Sequence, residues 1–296
     1  MTPVPDRLTD ETADETAVEN AAPHRSHGTS PSASDGEWTF VDDFDGPTLD
    51  DRVWSPHYLP AWSSRAESAA TYRLRDSCLE LLLPPGTGAF LPGRHHPALR
   101  VSGIQSGNFS GPVGGTHGQQ PPLPGTRVRE RQPLFRGWTP TGGRLEMRAR
   151  FDLSPRSMAA WWLVGVEEDP QECAEICVAE IFGDAVIPGR SAAVGMGLHA
   201  FRDPRVTENF AAPRLDIDVA AFHDYAVDWT PHEVVFAVDD VVVRRCPAPP
   251  WYPMQSMLAV FDFPERSRGD DDDHTPALVV DRVRGRAPAD GTVRTP

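Results

Sequence analysis

Residues 144–151 of the chain are Arg-Leu-Glu-Met-Arg-Ala-Arg-Phe, in which charged and apolar side chains alternate without a break. Successive side chains of a β-strand point to opposite faces of a sheet, so this alternation predicts a strand with one buried face. Similar alternating or apolar runs, bounded by Gly, Pro, Asn or Asp, predict strands at 78–83, 160–166, 175–182, 225–229, 234–243, 257–263 and 277–283. No convincing helical pattern separates these runs. The arrangement favours an all-β fold, an antiparallel β-sandwich or barrel, over alternating strands and helices.

The composition of the 296-residue chain suits one large all-β domain. Its 31 Pro and 24 Gly are typical of many short strands joined by loops. The net charge of −15 disfavours nucleic acid and an anionic membrane as partners, because both are negatively charged themselves. A neutral polysaccharide is neither attracted nor repelled by that net charge. No apolar run approaches the roughly 20 residues that a membrane-spanning helix needs.

Three regions follow from where apolar residues occur along the chain. Residues 1–36 are rich in Thr, Ser, Pro, Asp, Glu and Ala, which predicts a disordered acidic tail. Residues 37–286 carry all the predicted strands and form the β-sandwich domain, and residues 287–296 form a disordered C-terminal tail. The N-terminus lacks the basic-then-apolar order of a secretory signal, which leaves the cytoplasm and export by a non-standard route as the two expected locations. Reduced cysteines are the matching expectation.

Two Gly- and Pro-rich stretches, 84–98 and 110–133, predict long loops that either serve a functional site or only decorate the surface. The acidic run Gly269–His274 lacks the alternating ligand spacing and distal Glu of a calcium loop, so a solvated acidic turn is favoured over a calcium site. The cysteines lack the close pairs that a zinc site uses. No cofactor or metal is therefore predicted, and structural calcium stays an alternative.

The stretch that carries chemistry is Glu175-Ile-Cys-Val-Ala-Glu-Ile-Phe-Gly183. Its glutamates, Glu175 and Glu180, would point to opposite faces of a regular strand, but one β-bulge between Cys177 and Glu180 would return both to one face. A retaining glycosidase needs two carboxyls roughly 5–5.5 Å apart, one to attack the anomeric carbon and one to protonate the leaving oxygen. From the spacing alone, two unrelated surface glutamates on an edge strand are favoured, because acidic residues are abundant here. The neighbouring sequence reverses that preference.

The segment resembles the signature of glycoside hydrolase family 16, whose laminarinase-type members carry Glu-Ile-Asp-aliphatic-x-Glu, often followed by an aromatic residue and Gly. Further blocks resemble the family in the family's own order. They are Trp38–Trp54, Gly143–Arg150, Ala160–Gly165, Phe222–Pro231, Val234–Asp239 and Leu278–Arg284. Each block is modest by itself, but together they cover about residues 37–285 and make the resemblance specific.

The resemblance implies a concanavalin A-like jelly roll of two curved antiparallel sheets, with a sugar-binding cleft across the concave face. Carried over by position, Glu175 is the nucleophile and Glu180 the general acid/base. The family usually has Asp where this chain has Cys177, and that Asp hydrogen-bonds a catalytic carboxyl. A thiol with an ordinary pKa of about 8.5 is neutral near pH 7 and is a weak donor. Cys177 therefore cannot replace a buried negative charge.

Aromatic and polar residues near these blocks are the candidates for binding the sugar. The candidates are Trp62, Arg65, Trp161, Trp162, His199 and Gln255. Trp161 and Trp162 alternate across their strand, so one should face the core and the other the cleft, and the resemblance favours Trp162 for the cleft. Trp62 and Arg65 lie in a loop-like stretch, where a Trp is less easily explained as core. For His199, a structural role is the main alternative.

The activity that the resemblance implies is hydrolysis of a β-linked polysaccharide, with a β-1,3- or mixed-linkage glucan as the favoured substrate. The protein would be a retaining endo-β-glycosidase and a monomer. A transglycosylase, which transfers the sugar to a second sugar rather than to water, is one alternative. A carbohydrate-binding protein that keeps the sandwich and cleft without catalysis is another. Cys177 motivates the second alternative, and the presence of both glutamates opposes it.

Overall fold

The computed structural model describes residues 37–95 and 97–288 of the chain. The predicted acidic tail at 1–36 lies outside the described residues, as do residues 289–296 of the predicted C-terminal tail. Helical structure in the described part is limited to 3₁₀ helices at Pro60–Trp62, Gly183–Ala185 and Pro264–Arg266. No helix in this part is long and apolar enough to cross a membrane.

The described chain forms nineteen β-strands. In chain order they are β1 (Phe40–Asp42), β2 (Tyr72–Arg75), β3 (Cys78–Leu82), β4 (Arg100–Gln105), β5 (Gly107–Asn108), β6 (Phe135–Arg136), β7 (Gly143–Asp152), β8 (Ser157–Gly165), β9 (Glu175–Phe182), β10 (Val186–Ile187), β11 (Ser191–Ala193), β12 (Gly195–His199), β13 (Asn209–Ala211), β14 (Arg214–Leu215), β15 (His223–Trp229), β16 (Glu233–Val238), β17 (Val241–Pro247), β18 (Met254–Asp262) and β19 (Ala277–Arg286).

Two antiparallel sheets contain most of these strands. The eight-stranded sheet has the order β17-β16-β15-β7-β19-β3-β2, with β1 also paired to β19. The six-stranded sheet has the order β13-β12-β9-β8-β18-β4. Strands β10, β11 and β14 form a small third sheet, and β5 pairs with β6. This architecture confirms the predicted antiparallel β-sandwich of the jelly-roll type.

The main hydrophobic core lies between the two large sheets. The predicted alternation of residues 144–151 is confirmed: Leu145, Met147 and Phe151 are buried in this core. On the opposite face of the same strand, Arg144 and Arg148 form ion pairs with acidic residues of β15. Each large apolar side chain buried here stabilises the fold by about 1.5–3 kcal/mol relative to an exposed one.

A second apolar cluster covers the face of the six-stranded sheet that is turned away from the core, which we call the outer face. Side chains from the strands and from the loops around 55–65, 84–98 and 110–133 pack together there. Its larger members are Tyr58, Trp62, Phe90, Leu91, Val128, Met158, Trp162, Met257 and Phe261. Both predicted long loops therefore pack against the sheet with part of their length, so neither is only a surface decoration.

The predicted strand at 234–243 is in fact a hairpin. Strand β16 ends at Val238, and β17 begins at Val241. The two residues between them, Asp239 and Asp240, have φ angles of 49° and 61°. Positive φ at both central positions is the mark of a type I′ turn, which Asp tolerates better than most residues. Because apolar residues lie on both sides of this two-residue turn, the sequence was interpreted as one continuous strand.

Candidate active site

Strand β9 contains the β-bulge that its sequence predicts. The pairing register with β8 passes over Val178, and the register with β12 shifts at the same place. Val178 and its neighbour Ala179 consequently both lie in the core between the sheets. The extra residue resets the alternation of side chains beyond it. Glu175 and Glu180, five positions apart, can therefore share one face, and the predicted bulge is confirmed.

Cross-strand pairing identifies the face that the two glutamates occupy. Glu175 is paired with Val164 of β8, and Glu180 is paired with Ala160. Directly paired residues of antiparallel strands point the same way, and both β8 residues belong to the outer-face cluster. Cys177 belongs to the same cluster and lies between the glutamates along the strand. The structure thus brings all three residues of the predicted catalytic set to the outer face.

Small residues flank Glu180 on the sheet. Gly195 of β12 is paired with it on one side, and Ala160 and then Ala259 follow on the other. A Cβ atom at Gly195 would lie 2.6 Å from the Phe210 ring and 3.2 Å from the Glu180 Cβ, so this position favours glycine. Glu180 is partly exposed. Its carboxyl is accordingly more accessible to a ligand than that of Glu175.

Glu175 lies in a buried and polar environment. The residue is 8% exposed, and its carboxyl Oε1 accepts a hydrogen bond from the side-chain amide of Gln120. Burial, reinforced by the negative charges of Glu180 and Glu167, raises the pKa of Glu175 from 4.5 to about 8. A carboxyl with such a pKa can hold its proton near neutral pH. Contacts that favour its charged form then decide how readily it ionises.

Glu167, which follows β8, holds the 110–133 loop against the outer face. Its Oε1 accepts a 2.6 Å hydrogen bond from the backbone N–H of Gln120, and its Oε2 is ion-paired with Arg202. The backbone oxygen of Glu167 lies 2.8 Å from His117 Nε2. Burial raises the pKa of Glu167 to about 7, against the lowering effect of its bonds to Gln120 and Arg202. The φ angles of Gln120 and Glu167 are 40° and 60°, a region that non-glycine residues seldom adopt.

Sequence reasoning missed Gln120 and Glu167. Gln120 lies 55 positions before Glu175, and neither residue falls in a block that resembles the family. The available signal was the length and Gly/Pro content of the loop at 110–133, which pointed to the loop but not to a residue within it.

Cys177 is a neutral residue in the middle of this site. Burial raises the pKa of its thiol well above 9.0, and the charges of Glu180 and Glu175 act in the same direction. Its Sγ lies 3.9 Å from the backbone oxygen of Gly195, a distance that suits a weak thiol hydrogen bond to that carbonyl. The thiol consequently adds no negative charge between the glutamates.

Three of the predicted sugar-binding residues lie on the outer face with the glutamates. Trp162 belongs to the outer-face cluster and packs near Phe261. His199 is paired directly with Glu175, and its Nδ1 lies 2.6 Å from Glu208. Gln255 is paired with Val164, the residue that also pairs with Glu175. Their roles in binding sugar stay predictions.

The other three predicted sugar-binding residues have different surroundings. Trp161 is fully buried between the sheets, where its indole N–H donates to Ser256 at 2.9 Å, so it is the core member of the alternating pair and its inclusion among the sugar-binding candidates is wrong. Trp62 is 0% exposed and donates to the Gln119 backbone at 2.7 Å, so it anchors the long loop and offers no open face to a sugar. That assignment is also wrong, because the loop folds over a residue that looked exposed from the sequence. Arg65 donates to Gln132 at 3.0 Å, and its role in sugar binding stays a prediction.

Several buried polar groups near the glutamates form no hydrogen bond within the described part of the chain. They include Gln120 Oε1, Trp162 Nε1 and Gln255 Nε2. Buried polar side-chain atoms are nearly always paired in folded proteins. These groups are therefore suited to hydrogen-bonding a polar ligand at the outer face.

The acidic run Gly269–His274 lies beside an arginine. Arg156 supplies positive charge there, with a 2.6 Å ion pair to Asp272 and a 3.9 Å contact to Asp271. Residues 37–95 and 97–288 contain no group of three or more His, Cys, Asp or Glu residues that could hold a metal ion. The four cysteines form no disulfide with one another in the described part of the chain.

Comparison with known proteins gives the site a family context. The model of glycosyl hydrolases family 16 matches residues 142–265, which include strands β7 to β18 and both glutamates. No curated protein sequence matches the chain significantly. Among solved structures, the GlcNAcα1-4Gal-releasing endo-β-galactosidase from Clostridium perfringens is 24% identical, with a TM-score of 0.75 over 90% of this chain and 67% of that one.

Two laminarinases are similar as well. The catalytic domain of the endo-1,3-β-glucanase from Thermotoga petrophila is 14% identical, with a TM-score of 0.58 over 84% of this chain and 96% of that one. The laminarinase from Flavobacterium sp. UMI-01 is 19% identical, with a TM-score of 0.56 over 84% of this chain and 99% of that one. At these identities the three similarities establish a shared fold.

Proposed function

We propose that this chain, whose residues 142–265 match the model of glycosyl hydrolases family 16, is a retaining endo-β-glycosidase with Glu175 and Glu180 as its catalytic pair. The observation that carries the proposal is the bulge in β9, which turns both glutamates to one face of the sheet. Glu175 attacks the anomeric carbon and forms a glycosyl ester, while Glu180 protonates the departing oxygen. Glu180 then takes a proton from water, and the water oxygen displaces the sugar from Glu175.

The two carboxyls have different surroundings, and the raised pKa of Glu175 means that its ionisation must be assisted before it can attack the anomeric carbon. The partly exposed Glu180 can reach both the leaving oxygen and the incoming water. The buried Glu175 is held by Gln120, whose amide N–H favours the charged form that nucleophilic attack requires. The neutral thiol of Cys177 adds no third negative charge that would oppose ionisation of Glu175.

The sugar would be held on the outer face beside the pair. Trp162 and Gln255 each present a buried N–H group without a partner in the described chain, and both can donate to sugar oxygens. His199, directly beside Glu175 on β12, is partly exposed and can contact the same sugar. Hydrogen bonds from these groups would orient the ring over the two carboxyls.

Two β-linked backbones are the candidate substrates. A β-1,3- or mixed-linkage glucan is favoured by the Glu-Ile-x-aliphatic-x-Glu pattern, which resembles that of laminarinase-type members. A β-galactoside chain is favoured by the closer structural overlap with the Clostridium perfringens endo-β-galactosidase than with either laminarinase. Both would use the same two-glutamate mechanism.

A reducing-end assay on laminarin, lichenan and a β-galactan tests the proposal, with Glu175→Gln as the inactive control. We expect the wild type to release reducing ends from at least one of these polymers and the variant to release none. Transfer products without net hydrolysis would identify a transglycosylase. Binding to a polymer without any bond cleavage would overturn the enzymatic proposal and favour a carbohydrate-binding protein.

A further inference from the structure

The site has a feature that the family signature does not account for. In laminarinase-type members an Asp at the middle position is expected to hydrogen-bond a catalytic carboxyl, but here that position is the neutral Cys177. Its thiol lies beside the Gly195 carbonyl. A polar side chain from outside the catalytic strand, Gln120, instead donates to the Glu175 carboxyl.

We propose that Gln120 is a positioning residue that orients the Glu175 carboxyl and favours its charged form, so that the 110–133 loop completes the catalytic site. The proposal rests on the proposed function and names the group that prepares the nucleophile. An amide N–H that donates to a carboxylate stabilises the ionised state more than the protonated one. Gln120 can do this without adding charge.

Specific hydrogen bonds hold the backbone at Gln120 in place. Its N–H donates to the buried carboxyl of Glu167 at 2.6 Å, and Glu167 is ion-paired with Arg202. The loop is anchored again one residue earlier, where the Gln119 carbonyl accepts a 2.7 Å hydrogen bond from Trp62. The φ of 40° at Gln120 is uncommon for a non-glycine residue and needs such surrounding contacts to persist. These contacts aim the amide at Glu175.

The charged and titratable groups around Glu175 make a donor necessary. Glu180 on the same strand, Glu167 after β8 and Glu208 beyond β12 all oppose ionisation of Glu175 through their negative charge. Arg202 is already paired with Glu167.

None of the remaining titratable neighbours provides a positive charge that pairs with the Glu175 carboxyl. His199 is beside Glu175 on β12 but is bonded to Glu208. Burial keeps Cys177 and Tyr58 neutral by raising the pKa of each well above its ordinary value. The amide of Gln120 is thus a neutral donor that counteracts a surplus of negative charge.

The test combines two substitutions at position 120 with Glu175→Gln. Gln120→Met keeps the length of the side chain and the backbone bond to Glu167 but removes the donor. Gln120→Glu keeps the shape and replaces the donor by a carboxyl that repels ionised Glu175. Gln119→Met is the matched control, because its side chain contacts Gln105 and Phe109 rather than Glu175.

The first readout does not depend on catalysis. Loss of a charge-assisted hydrogen bond should raise the pKa of Glu175 by about one unit, which is a tenfold shift in its ionisation equilibrium. The decline of the unfolding temperature with pH should then extend about one pH unit higher in Gln120→Met, and further in Gln120→Glu. When Gln120→Met is combined with Glu175→Gln, it should leave the pH dependence of the Glu175→Gln variant unchanged, whereas Gln120→Glu still adds the titration of its own new carboxyl.

The second readout is the kinetics on the substrate that the wild type cleaves. Gln120→Met should lower kcat near pH 7 about tenfold with little change in KM, and raising the pH by about one unit should restore the rate. An effect of Gln120→Met on the pH dependence of the unfolding temperature that is equal with and without Glu175→Gln, or absent in both cases, would overturn the proposal. A wild type that cleaves no polymer refutes the proposed function separately, because the unfolding readout still shows whether Gln120 acts on Glu175.

Discussion

Replacing Glu175 by glutamine should stabilise the protein increasingly as the pH rises. Burial raises the pKa of Glu175 from 4.5 to about 8 in the folded protein. Because the folded value is the higher one, the stability linked to this carboxyl is fully present below about pH 4.5 and is lost as pH rises through about 8. Between about pH 6 and about pH 8 the loss is about 2 kcal/mol. Glutamine carries no titrating proton, so the variant escapes that loss.

Thermal unfolding of the two proteins, followed by tryptophan fluorescence, measures the effect. For a domain of this size, about 2 kcal/mol corresponds to about 5 °C in Tm. The Tm of the Glu175→Gln variant relative to wild type should therefore rise by about 5 °C from about pH 6 to about pH 8. Glu167 titrates in the same range but is present in both proteins, so most of its contribution cancels.

Glu67→Gln, which removes an exposed carboxyl, is the control. The difference in Tm between this variant and wild type should not change with pH. A Tm difference between Glu175→Gln and wild type that stays constant with pH would contradict this prediction, because Glu175 would then already be ionised at the lower pH despite its burial.

The remaining predictions concern catalysis. Wild-type kcat/KM should rise with pH towards about 8 as Glu175 ionises, and a rate that is already maximal near pH 5 would contradict its assignment as the buried nucleophile. Cys177→Asp adds a carboxyl between the glutamates and should move this rise to higher pH; an unchanged profile would show that the middle position does not tune the pair. Glu180→Ala should lower turnover about 100-fold or more, and added azide should restore cleavage of an aryl β-glycoside as the β-glycosyl azide. Trp162→Ala should raise KM, whereas Trp161→Phe should lower the free energy of unfolding by about 1–3 kcal/mol and leave KM unchanged.

Local patterns in the sequence, together with the resemblance to glycoside hydrolase family 16, were sufficient for the β-sandwich and for the bulge in strand β9. The alternation in β7 follows from the two-residue period of a strand, and the core confirms it. Once the resemblance to the family signature favoured Glu175 and Glu180 as a pair, their spacing required a bulge, because only an added residue can turn both side chains to one face. Both inferences use geometry within one strand, which is why sequence alone could support them.

Contacts between distant segments could not be predicted in the same way. Trp62 looked like an exposed loop residue, but the 110–133 loop folds over it and buries it completely. Gln120 reaches Glu175 from 55 positions away, and its placement depends on the fold of an irregular loop. The hairpin between β16 and β17 was missed for a more local reason, since Asp239 and Asp240 form a turn that lacks the usual Gly or Asn.

The anomeric configuration of the first product is the most direct test of the central claim that Glu175 and Glu180 act as nucleophile and acid/base. Proton NMR can follow cleavage of the preferred β-linked substrate before mutarotation mixes the anomers. Two displacements at the same carbon predict that the β-anomer accumulates first. Initial release of the α-anomer would contradict the account, because it would mean that water, and not Glu175, attacks the anomeric carbon.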